Sequence, residues 1–269
     1  MHRRRFLAAS LATSASAFAS QTASHTSMGS TPASQPREFY HLRRYALQMG
    51  PQTAAAEAYF NDALLPALAR LGLGPVGAFK LDIGPETPAF YLLIPGSSAT
   101  ALATVDTQLA ADETFLKAAE PFWAAPATSP AFHRLESALL QAFEGWPKLA
   151  VPAAAATKGR RIFQLRTYES PSHAAHVRKV EMFNHGEFEI FQRDGLHPVF
   201  FGETLIGSGM PSLTYMLTFT DTRELETNWA TFSADPAWKK LQTSPRYAYE
   251  SIVSNISNLI LSPLACSQI

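Results

Sequence analysis

Only one cysteine, Cys266, stands in the chain, so no internal disulfide can form and stability has to come from packing. It also lies too late to carry a lipid behind an N-terminal signal. Charge of neither sign is in excess: 22 Lys and Arg face 22 Asp and Glu. No overall field therefore draws the chain to nucleic acid or to an anionic membrane. Long apolar runs are missing too, and the one near the N-terminus is too short and too rich in Ser and Ala to remain as a membrane-spanning helix. There is no G-x-S-x-G elbow; Gly207-Ser208-Gly209 reads as a turn between strands, and Cys266 has no histidine beside it. A glycine-rich phosphate loop is likewise absent. What the chain does have is 46% hydrophobic residues, enough for a substantial core.

The first residues have a separate purpose. Arg3-Arg4-Arg5-Phe6-Leu7, a weakly apolar stretch and small residues at Ala15-Ser16-Ala17 and Ala17-Phe18-Ala19 read as a twin-arginine export signal over 1–19. That predicts a periplasmic or otherwise exported protein. Residues 20–36, dominated by Ser, Thr and Ala, read as a flexible tether.

The remainder contains an internal echo. Phe39-Tyr40-His41-Leu42-Arg43-Arg44-Tyr45 returns as Ile162-Phe163-Gln164-Leu165-Arg166-Thr167-Tyr168, an offset of 123 residues. The same offset carries Pro75-Val76 onto Pro198-Val199, Pro88 onto Pro211 and Ala111-Asp112 onto Ala234-Asp235. A period of that length is a small domain rather than a solenoid unit. The expected domains are a first repeat at 37–148, a linker at 149–160 and a second domain at 161–269.

Pattern reading gives both halves one element order. The first half is read as strand 39–47, helix 53–71, strands 76–83 and 90–94, helix 101–119 and a strand within 138–143. The second is strand 161–168, helix 173–193, strands 199–204 and 213–220, helix 223–241 and strand 256–261. That is β-α-β-β-α-β twice, the ferredoxin-like split unit, an α+β class in which an antiparallel sheet carries both helices on one face. The open faces of two such tandem repeats would bury each other, packed sheet to sheet within one chain.

Leu165-Arg166-Thr167-Tyr168-Glu169, then Lys179-Val180-Glu181-Met182-Phe183, Val199-Phe200-Phe201-Gly202-Glu203-Thr204, Asn255-Ile256 and Ser267-Gln268-Ile269 resemble the bacterial exported members of the NIPSNAP family. The resemblance covers most of the second half, and Leu42-Arg43-Arg44-Tyr45 marks a more diverged copy in the first. It implies the dimeric α+β barrel fold, here formed within one chain. It implies no reaction, because the family has no settled activity.

Strand alternation supplies the site candidates. Phe163 and Leu165 share one face of their strand, while Gln164, Arg166 and Tyr168 share the other. With the apolar face set against the helices, Gln164, Arg166 and Tyr168 would point between the sheets, and so would His41, Arg43 and Tyr45. Glu203 is the expected partner of Arg166. Such arginines would either hold the sheets together in an ion-pair network or receive an anionic ligand. Places where the halves differ, His41 against Gln164 and Lys80 against Glu203, are where a specific function is sought.

On a helical wheel His176, Asn184 and Glu187 fall inside the apolar arc, so Glu187 is read as paired or as a perturbed acid. His173 and His176 lack convergent partners for a metal, and no metal is predicted. No motif demands a cofactor; haem on His41, His133, His176 or His197 rests on fold analogy alone. The function expected is non-catalytic small-ligand binding or protein interaction. The alternatives are a cofactor-free oxygenase or isomerase acting on a small aromatic or anionic substrate, and haem binding. A homo-oligomer is compatible with all three.

Overall fold

A computed structural model describes residues 35–269. The export signal expected at 1–19 and the tether up to residue 34 lie outside the described residues.

Eight strands carry the architecture: β1 (Phe39–Ala46), β2 (Gly77–Ile83), β3 (Ala89–Gly96), β4 (Arg134–Ala142), β5 (Ile162–Glu169), β6 (His197–Ile206), β7 (Ser212–Phe219) and β8 (Asn255–Pro263). They close into one antiparallel barrel in the order β1-β3-β2-β8-β5-β7-β6-β4. Within the first half the order is therefore β4-β1-β3-β2, and within the second β8-β5-β7-β6. The halves meet at two seams, β2 with β8 from Phe79↔Pro263, and β4 with β6 through Leu140↔Thr204 and Ala142↔Gly202. Closure leaves no strand edge unpaired.

The 123-residue offset recurs in the geometry. The first strand of each half pairs from Phe39↔Gly96 and from Ile162↔Phe219. A π-helical turn interrupts the first helix of each half at Phe60–Leu64 and at Phe183–Glu187. Arg70 pairs with Asp112 as Arg193 pairs with Asp235. Both aspartates then cap the following helix, accepting from the Phe115 and Trp238 backbone N–H groups respectively.

Those caps explain one break in each half, after Leu109 and after Ala234, where the sequence reading and the structure part. The helix expected over 101–119 is three pieces, Ala99–Ala103, Val105–Leu109 and Glu113–Trp123, and the one over 223–241 is Thr222–Ala234 and Pro236–Gln242. An aspartate side chain that bonds the next turn's N–H groups starts a new helix instead of continuing the old one. In Asp235-Pro236 the proline sits at the first turn of the new helix, where its missing N–H costs nothing.

The barrel interior is the largest correction. It is filled by Tyr40, Phe79, Phe163, Leu165, Phe200 and Met216, among other apolar side chains. Alternation had grouped the residues correctly and put the groups on the wrong sides. An eight-stranded barrel is just wide enough for its own side chains, so its inside behaves as a core, and the polar strand face is left to meet the helices. At one end an opening of about 150 Å³ is lined by Arg44, Tyr91, Glu136, Thr167, Thr204 and Thr214. Arg44 and Thr167 therefore stand where Arg43 and Arg166 were expected.

Candidate functional site

His41, Arg43 and Tyr45 lie between the first half's sheet and its helices. Arg43 Nη2 donates to Asp106 Oδ1 at 2.9 Å, with the arginine side chain 2% exposed, so the charge is buried and matched. Tyr45 packs edge-on against Phe60 and Phe132. Burial, with the Arg43 guanidinium behind it, holds the His41 imidazole down at about 4, and its Nδ1 is buried without a partner.

Gln164, Arg166 and Tyr168 occupy the matching layer of the second half, so the two Arg-x-Tyr pairs do not share one cavity. Gln164 accepts from Trp229 Nε1 at 2.6 Å and donates to Asn258 Oδ1 at 2.9 Å. Arg166 Nη2 donates to the Tyr168 hydroxyl at 3.0 Å, and that hydroxyl bonds Tyr215 Oη at 2.9 Å. The Trp229 ring lies 4.5 Å from the Arg166 guanidinium carbon.

Beside them is a second charge pair. Lys179 Nζ meets Glu187 Oε2 at 2.6 Å with both side chains out of solvent. The ammonium stands 4.1 Å from the Phe183 ring and 5.1 Å from that of Tyr249. In a regular helix residues eight apart are separated by about 12 Å along the axis. Between these two the chain leaves helical geometry at His185 (φ −111°) and Gly186 (φ 155°), inside the π-helical turn. Burial pushes the Glu187 carboxyl above its ordinary range, with Lys179 pulling the other way. Burial also raises Tyr215 well above the ordinary phenol value, so it is a protonated hydroxyl at neutral pH.

Glu203 is not the partner of Arg166. Its strand turns it toward His176 Nε2 at 3.6 Å and Arg37 at 3.8 Å, and the His176 neighbour lowers its carboxyl against the effect of burial. His197 lies on the surface near Glu224, and His133 is exposed. Among the described residues no three His, Cys, Asp or Glu side chains gather as metal ligands would. Nor is any helix among them long and apolar enough to cross a membrane.

Sequence reasoning flagged Glu187 and missed Lys179. The signal was present: Lys179 falls about 20° from Ile190 on the same wheel, so an ammonium was placed at the edge of the apolar arc. The approach of Trp229 to Arg166 depends on a contact between helix and sheet that one sequence does not reveal.

The closed antiparallel barrel with helices outside it is a known class of fold. It is similar to two solved structures that each carry the name "putative monooxygenase". The one from Fusobacterium nucleatum has a TM-score of 0.57 at 7% identity, over 86% of this chain and 94% of that one. The one from Lactobacillus acidophilus has 0.56 at 8%, over 84% and 94%. An anthrone oxidase-like protein gives 0.50 at 8% identity, over 86% and 92%. At such identities the likeness concerns the fold alone. No curated protein matches the chain. Within the second half, residues 163–268 match the family model described as NIPSNAP.

Proposed function

We propose that the protein is a non-catalytic small-ligand binder, built of two tandem ferredoxin-like units, whose second half holds the ligand between helices and sheet. One observation carries this. At the offset of 123 the first half has Ala56 and Leu64, both 0% exposed, where the second has Lys179 and Glu187. The same layer is therefore built elsewhere in this chain without any charge. A buried ion pair adds little stability over an apolar pair of similar size, so its retention beside Arg166 speaks for binding. The tandem reading is supported by the recurring offset in strand register, π-helical turns and ion pairs.

The double substitution Lys179→Ala with Glu187→Leu tests the proposal by installing the first half's residues. It should fold with unchanged or greater stability and lose ligands found by native mass spectrometry of the full chain. Either single change leaves a buried unpaired charge and should cost about 3–5 kcal/mol in chemical denaturation. A double variant that binds the same ligands unchanged would sink the reading.

The enzymatic alternative, oxygenase or isomerase chemistry on a small aromatic or anionic substrate, draws on the raised Glu187 carboxyl as a proton acceptor. The solved neighbours named as monooxygenases have the same fold. The proposal includes no resident cofactor. It includes export on the strength of Arg3-Arg4-Arg5-Phe6-Leu7, which would put the mature chain in the periplasm.

A further inference from the structure

Around Tyr168 the second half's helix–sheet layer holds two cations, Lys179 and Arg166, and one carboxylate, Glu187, while Glu203 is engaged elsewhere by His176 and Arg37. Lys179 is matched by Glu187; Arg166 is matched by no carboxylate among the described residues, only by the Tyr168 hydroxyl. The tyrosines cannot neutralise it, since burial keeps Tyr215 and Tyr249 protonated at neutral pH. One positive charge is left over.

The first half shows what a closed account looks like. Arg43, the residue matching Arg166, is neutralised by Asp106. The position 123 residues beyond Asp106 is Trp229. The equivalence is bracketed on both sides, by the π-helical turns before it and by the Asp112 and Asp235 caps after it. Where one half places the counter-ion, the other places an aromatic ring over the guanidinium.

That ring is held. Its indole N–H is bonded to Gln164, which is bonded in turn to Asn258. Trp229 lies over Arg166, whose Nη2 donates to the Tyr168 hydroxyl and whose Nε is buried without a partner; the edge formed by Nε and Nη2 is thus only partly taken, and a guanidinium edge presents parallel donors at the spacing of a carboxylate's two oxygens. Arg166 is half-buried and Asn258 beside it is exposed, so solvent reaches this side of the layer. Arg43, 2% exposed and already paired, offers no such edge.

We propose that the second half binds a monoanionic carboxylate edge-on to Arg166, against the wall formed by Trp229. This rests on the reading that the second half is the binding half, and it adds the ligand's charge and headgroup. A single unmatched charge selects a monoanion over a dianion, because a second buried negative charge would itself go uncompensated.

The test compares benzoate with benzamide, alike in shape and different in charge, titrated into the ¹⁵N-labelled full chain. The readout is the indole N–H resonance of Trp229, assigned by its loss in Trp229→Phe. Benzoate should shift it saturably, and benzamide should bind at least about tenfold more weakly. Trp229→Asp, which rebuilds the first half's pairing, should keep its circular dichroism spectrum and show no saturable benzoate shift in its backbone amide resonances; Arg166→Gln should lose the shift of the Trp229 indole. Equal affinity for both probes, no saturable response to benzoate, or unchanged benzoate binding by Arg166→Gln overturns the proposal. Should benzamide bind the native chain as well as benzoate does, and fail to bind the Lys179→Ala/Glu187→Leu variant, the binding half stands and only the anion is lost.

Discussion

His41 and Gln164 hold matching places on β1 and β5, and the difference between them has a thermodynamic signature. The His41 imidazole, held at about 4 by burial and the nearby Arg43, is neutral in the folded chain, whereas in the unfolded chain it titrates at its ordinary value of 6.5. Its folded value is depressed, so the stability it contributes is complete above 6.5 and is lost as the pH falls from 6.5 through 4. The loss amounts to about 3 kcal/mol. His41→Gln, which installs the residue of the second half, should flatten the dependence of unfolding free energy on pH across that window. An unchanged slope in urea titrations would show that His41 is not the group responsible.

The π-helical turn is the element on which the second half's polar layer depends. Gly186 sits at φ 155°, where a side chain is strained, although a Cβ built there meets nothing nearer than Leu241 at 3.5 Å. Gly186→Ala should therefore cost about 1–3 kcal/mol through the backbone alone, and it should separate Lys179 from Glu187, visible as loss of the protected lysine ammonium signal in NMR. Sequence reading had placed the helix over 173–193 and could not see this turn, since a glycine inside a helical pattern has several explanations. The same reading found all eight strands, because period-2 alternation and bounding turns are local. Which face of β1 and β5 turned inward was not local. Phe163 and Leu165 fit a helix-covered face or a barrel core equally well, and the interior width of the closed barrel decides between them. The chemistry-bearing set His41, Arg43, Tyr45, Gln164, Arg166 and Tyr168 was thus legible as one polar face per half, while its division into two separate layers was not.

At the scale of the whole molecule, the seams β2–β8 and β4–β6 make each half the cover for the other's apolar sheet face. Expressed apart, residues 35–150 and 151–269 should aggregate or pair promiscuously through four exposed strand edges. Co-expressed, they should co-elute as one species by size-exclusion chromatography with a single cooperative unfolding transition, and two independent transitions would contradict the closed barrel. The seams also set what mutation can do. When two identical subunits close a barrel, every substitution arrives twice, so a counter-ion lost from one side is lost from both. Covalent union lifts that constraint. On the proposed reading, the half with Asp106 stays electrically settled and acts as scaffold, while the half with Trp229 gives up its internal partner and gains an appetite for an external one.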